Sequence, residues 1–150
     1  MAKPAPFLEV EIRTLPALRV LHRLLLFPSS PVNPDKVIRP AFKDLRRRVS
    51  ACGLDPDTLL HVGVPDVVEG ELVSYDCCVE FPLPEAGAIR TLPGGRYAVL
   101  IVEKTPAKIR PAIHSFRGDY LADRGLLIDE DRPVYEIYSK DILEYCLPIY

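Results

Sequence analysis

The sequence predicts an α+β domain built as two tandem strand–helix–strand–strand repeats. Three observations carry this reading. Short motifs recur in the same order along the chain. Apolar residues switch between a period of two and a period near 3.6. Proline or glycine stands where the period switches. Arg13-Thr14-Leu15-Pro16 returns as Arg90-Thr91-Leu92-Pro93, and Asn33-Pro34 as Thr105-Pro106. Ile38-Arg39-Pro40-Ala41 returns as Ile109-Arg110-Pro111-Ala112, and Gly53-Leu54 as Gly125-Leu126. The separation shortens after the first match, which places extra residues near 27–32 or missing ones near 103–105.

The elements follow in order. Residues 9–14 and 17–26 are rich in apolar and β-branched side chains around the Leu15-Pro16 turn, which predicts two strands. Within 40–52, Ala41, Phe42, Leu45, Val49 and Cys52 recur at helical spacing with arginines between them. Arg46, Arg47 and Arg48 form the solvated face of that helix. Gly53 stands just past its end. Residues 59–64 and 72–81 read as strands.

The second half repeats the order. Strands at 88–91 and 97–102 flank the Pro93-Gly94-Gly95 turn. Ile109, Ala112, Ile113, Phe116 and Tyr120 mark a helical stripe that Gly125 ends, and 134–138 and 145–149 are closing strands. Pro40 and Pro111 are placed in the first turn of their helices, where a missing N–H costs little. Residues 65–70 read as the joint between the copies.

Each copy is too small to bury a sheet alone, so 1–150 is expected to be one domain. Repeat one covers about 1–71 and repeat two about 72–150. Set about a pseudo-twofold axis, the copies would form antiparallel sheet with both helices on one side and a ligand cleft between the repeats.

Composition narrows the function classes. Apolar residues make up 48% of the 150, enough for a core, and the formal net charge is −2. That charge speaks against a nucleic-acid or anionic-membrane partner, both of which favour a basic face. No signal peptide or membrane span is legible. The four cysteines lack C-x-x-C spacing. Cys77 and Cys78 are adjacent in a strand and so point to opposite faces. Cys52, Cys77, Cys78 and Cys146 read as buried, reduced thiols of a cytoplasmic protein. His22, His61 and His114 have no ligand spacing, so neither a metal nor a cofactor is expected. No Gly-x-Ser-x-Gly elbow or phosphate loop occurs.

Several runs together resemble the GyrI-like small-molecule-binding family. They are Arg13-Thr14-Leu15-Pro16-Ala17, Tyr75-Asp76-Cys77-Cys78-Val79, Leu92-Pro93-Gly94-Gly95-Arg96-Tyr97-Ala98-Val99, Tyr135-Glu136-Ile137-Tyr138 and Leu147-Pro148-Ile149. The family includes effector-binding domains of multidrug-sensing transcription activators and stand-alone gyrase-inhibitory proteins. Two departures stand out. The Gly-Pro-Tyr turn that often follows each long strand reads here as Phe27-Pro28-Ser29-Ser30 and Glu103-Lys104-Thr105-Pro106. The 150 residues leave no room for a helix-turn-helix beside the domain, so the resemblance makes a stand-alone binder the expectation.

Glu136 is the first candidate for function. Mid-strand between apolar and aromatic residues, it either faces solvent or forms the floor of an aromatic cleft. The resemblance implies the cleft, where a partly desolvated carboxylate attracts a lipophilic cation. Tyr138 shares its strand face by alternation. Tyr75, Tyr97, Phe116 and Tyr120 are the aromatic candidates for the lining.

The expected function is therefore the binding of lipophilic, cationic organic compounds. The resemblance implies two alternatives. One is hydrolysis of strained cyclopropane-containing toxins, with Glu136 as general base and Tyr97 or Tyr75 polarising the leaving side. The other is a protein-interaction module of the gyrase-inhibitory type, with a protein partner. The oligomeric state is not specified by the sequence.

Overall fold

The computed structural model describes residues 9–27, 33–84 and 89–150. The expected insertion near 27–32, the turn at 28–30 and the start of the strand at residue 88 lie outside the described residues, Phe27 excepted. Among the described residues, eight strands and two main helices follow the expected order. They are β1 (Glu9–Leu15), β2 (Leu18–Leu26), α1 (Asp35–Ala51), β3 (His61–Val68), β4 (Glu71–Glu80), β5 (Ile89–Leu92), β6 (Gly95–Glu103), α2 (Pro106–Ser115), β7 (Tyr135–Tyr138) and β8 (Ile142–Pro148).

The chain forms two compact units. One is Ala17–Pro93; the other joins the segment ending at Pro16 to Gly94–Tyr150. In the first, antiparallel strands run in the order β3-β4-β2-β5, and α1 packs on β2 and β4. In the second, antiparallel strands run β1-β6-β8-β7, and α2 packs on β6. The two orders are one topology written twice. In each unit a long strand leads into the helix and then into a hairpin whose second strand returns beside the first.

The repeat is real, but its leading strands are exchanged. β1 precedes β2 in sequence yet pairs with β6, and β5 precedes β6 yet pairs with β2. The stretch 65–70, expected as a joint, is not one. Pro65 lies within β3, and Glu69 (φ 52) with Gly70 (φ 80) makes the two-residue turn to β4. Two consecutive left-handed residues give the hairpin turn whose twist matches the strands it joins.

The helices begin earlier than the prolines suggest. α1 starts at Asp35 and α2 at Pro106, so Pro40 and Pro111 each stand at the sixth helical residue. Hydrogen bonds upstream of the prolines account for this. Asn33 Oδ1 accepts the Asp35 N–H at 3.1 Å, and the Thr105 carbonyl accepts from Lys108 and Ile109 at 2.8 and 3.1 Å. The helical nucleus is thus formed before the proline, which removes one hydrogen bond near the start. Gly53 (φ 83) and Gly125 (φ 63) follow the helix ends, with Leu54 N–H bonded to Val49 O and Leu126 N–H to Leu121 O, as expected for the Schellman stop.

Each unit has a core between helix and sheet. In the first, Leu21, Ala41, Leu45, Val49, Tyr75, Cys77, Val79 and Phe81 form it; in the second, Ala98, Leu100, Ala112, Phe116, Leu121, Tyr145, Leu147 and Ile149 do. Cys77, Cys78 and Cys146 are buried as expected, but Cys52 is exposed. It caps α1 at its last turn, where the helix stripe has already rotated away from the sheet.

Candidate functional site

The site is built on the β7–β8 hairpin. Along β7, Tyr135 is buried and Glu136, Ile137 and Tyr138 are half-buried. Alternation puts Glu136 and Tyr138 on one face, and the Tyr138 hydroxyl donates to Glu136 Oε1 at 2.9 Å. Register places Glu136 directly opposite Tyr145, and Tyr138 opposite Leu143. Tyr145 belongs to the helix-side core, so this face looks toward α2 and its extension.

That extension is irregular. After α2 the chain makes a π-turn over Phe116–Tyr120 and then one α-turn over Leu121–Asp123. A π-turn inserts one residue into the helical spacing. The buried stripe therefore runs Ala112, Phe116, Leu121, and Tyr120, expected on the stripe, turns partly out. Its ring lies 5.7 Å from Phe116 and beneath Arg124, whose guanidinium carbon is 3.8 Å from the ring centre. Phe116 meets Tyr145 edge-on at 6.2 Å and 86°. The exposed Arg117, first after Phe116, donates from Nη1 to the Tyr145 hydroxyl at 2.6 Å. Lys104 Nζ sits 5.8 Å from the Tyr138 ring centre.

Glu136, Tyr138, Tyr145, Phe116, Tyr120 and Arg117 thus form one continuous cluster inside one unit. Burial raises the Tyr145 phenol above its ordinary value; the Arg117 charge opposes the rise and the Glu136 charge adds to it. The hydroxyl therefore stays protonated and remains a donor at neutral pH. Neither Tyr145 nor Arg117 was legible as a site residue. Tyr145 lay in a strand correctly expected, but its place opposite Glu136 depends on register. Arg117 owes its direction to the π-turn.

Two further candidates, Tyr97 and Tyr75, are core residues. Tyr97 is fully buried on the opposite face of its sheet, because its neighbours Ala98 and Leu100 face the helix. It stacks on Tyr135 at 5.3 Å, lies under Arg132 and donates to Pro133 O at 3.0 Å. Tyr97 thus shares the face of Tyr135, opposite by strand alternation to that of Glu136. Tyr75 is a core residue of the Ala17–Pro93 unit and packs onto Gly63. Among the described residues no group of three or more His, Cys, Asp or Glu side chains could hold a metal ion. His22 is instead bonded through Nδ1 to the buried Asp76 at 2.9 Å.

A family model described as the GyrI-like small molecule binding domain matches residues 8–149. The chain belongs to the GyrI-like family. No curated protein matches its sequence. Solved structures share the GyrI-like fold at low identity. The EcmrR C-terminal domain superposes with a TM-score of 0.73 at 15% identity, over 97% of this chain and 99% of that one. SAV2435 bound to tetraphenylphosphonium superposes with a TM-score of 0.57 at 16% identity, over 95% and 94%. A hydrolase from Listeria innocua does so with a TM-score of 0.60 at 11% identity, over 98% and 94%. This GyrI-like chain has no helix long and apolar enough to cross a membrane among its described residues.

Proposed function

We propose that this GyrI-like domain binds lipophilic organic cations, held against Glu136 by the surrounding rings. The observation that carries the reading is the half-buried Glu136 carboxylate, hydrogen-bonded by Tyr138 and set opposite the buried Tyr145. A partly desolvated carboxylate is stabilised by a cation that approaches it, and ring faces attract the same cation while covering its apolar bulk. The likeness to a protein solved with tetraphenylphosphonium supports the choice of ligand class.

The test is a thermal titration with tetraphenylphosphonium and with neutral triphenylphosphine oxide, on the wild type and Glu136→Gln. A ligand that binds only the native state raises Tm by mass action. The cation should stabilise the wild type more than the neutral compound, and the variant should lose that difference. Equal responses of the two proteins would remove Glu136 from the site.

One observation favours hydrolysis as a second reading: a protonated Tyr145 hydroxyl stands across from the Glu136 carboxylate. Such a pair supplies a general base and a hydrogen-bond donor to a leaving atom. Turnover of a cyclopropane-containing substrate, lost in both Glu136→Gln and Tyr145→Phe, would establish it. No turnover by the wild type would leave binding alone.

A further inference from the structure

We infer that Arg117 is a second recognition point of this site, and that the preferred ligands are amphoteric: an organic cation that also carries a carboxylate. The inference rests on the Glu136 reading above and adds to it the other end of the ligand.

Three observations lead here. Among the described residues, Arg117 has the Tyr145 hydroxyl as its hydrogen-bond partner and no carboxylate. A guanidinium carries five N–H donors in a planar fork, and this bond uses one nitrogen. Arg117 is also exposed while the phenol it holds is 5% exposed, so the guanidinium caps the aromatic cluster from its solvent side. Finally, Arg117 is presented by the π-turn of Phe116–Tyr120, a single-turn interruption of the α-helix of a kind frequent at functional sites.

Tyr145 therefore lies between a carboxylate from β7 and a guanidinium from the helix extension. A purely cationic ligand is attracted by the first and meets repulsion from the second. A ligand with a cationic centre and a carboxylate satisfies both, and the planar fork suits the carboxylate in two-point contact.

The test uses rhodamine B, whose carboxylate is free, and its ethyl ester, which keeps the cation and the rings. Binding is followed by fluorescence anisotropy with the full chain. The acid should bind the wild type about tenfold more tightly than the ester, the worth of one charge-assisted contact. Arg117→Gln, which keeps a donor toward Tyr145 without the charge, should abolish that preference, and Arg117→Lys should retain part of it. An ester that binds as well as the acid, or a preference unchanged in Arg117→Gln, overturns the inference. Glu136→Gln separates the two readings. If it weakens neither dye while Arg117→Gln still removes the preference, the Glu136 reading falls and Arg117 stands. Binding of neither dye to the wild type overturns both.

Discussion

Arg13 and Arg90 hold the same place in the two copies of Arg-Thr-Leu-Pro, and each fastens an exchanged strand to a closing strand. Arg13 Nη1 lies 2.6 Å from Glu144 on β8, and Arg90 Nη1 lies 2.7 Å from Asp76 on β4. The recurring motif thus marks the point where a strand of one sequence repeat is tied into the unit of the other. Its arginine is as much part of the fold as its proline turn.

The two ties differ in burial, and so in strength. The Asp76 side chain is 3% exposed, against 25% for Glu144. Arg90→Ala leaves the buried Asp76 carboxylate with the His22 Nδ1 contact at 2.9 Å and should cost about 2 kcal/mol. Arg13→Ala breaks a partly solvated pair and should cost about 0.5 kcal/mol. Urea unfolding midpoints of the two variants check the order; equal losses would count against it.

Gly63→Ala should be strongly destabilising, by about 3 kcal/mol. A Cβ there would lie 1.8 Å from the Tyr75 hydroxyl oxygen and 2.3 Å from the ring carbon that bears it. Adding Tyr75→Phe removes the oxygen but not the ring, so the double variant should recover only part of the loss. Full recovery in thermal melts would show that the ring moves aside more easily than its buried place suggests.

Deleting Gly118 should leave the fold intact. The π-turn holds one residue more than an α-turn, and nothing stands within 4 Å of a Cβ built at Gly118. Deletion restores α-helical spacing, with Phe116 and the present Leu121 still on the core stripe. Tyr120 would then stand three residues after Phe116 and keep its place four residues before Arg124. Circular-dichroism melts should show a Tm within a few degrees of the wild type. A drop as large as that of Phe116→Ala would mean the turn is needed for packing.

The thiols predict a loss of stability in alkali. Burial foremost, with nearby carboxylates adding, pushes Cys77 and Cys146 up to about 12 from 9.0, and Cys78 higher still. Folded-state values above the unfolded ones mean that stability is fully present below pH 9. It declines as pH rises toward 12, because only the unfolded chain ionises there; each thiol contributes at most about 1.4 kcal/mol per pH unit. Urea midpoints above pH 9 should fall, and Cys146→Ala should flatten the profile. In the native protein only the exposed Cys52 should react with a disulfide reagent at neutral pH, and Cys52→Ser should abolish that fast phase.

The sequence by itself determined the repeat, the kind of each element and the helix stops at Gly53 and Gly125. It also determined that Glu136 and Tyr138 share a face, because period and turn chemistry are local properties. The tertiary structure decided what meets what. β1 pairs with β6 and β5 with β2, partners that no local signal in the sequence names. Glu136 came to face Tyr145 and not Tyr97, and the π-turn turned Arg117 onto that tyrosine while leaving Tyr120 only partly buried. Strand register and partner choice are set by contacts between residues far apart in the chain, where burying one face of each strand selects a single pairing. Alternation in a single strand names the face; only the partner strand says which side chains share it.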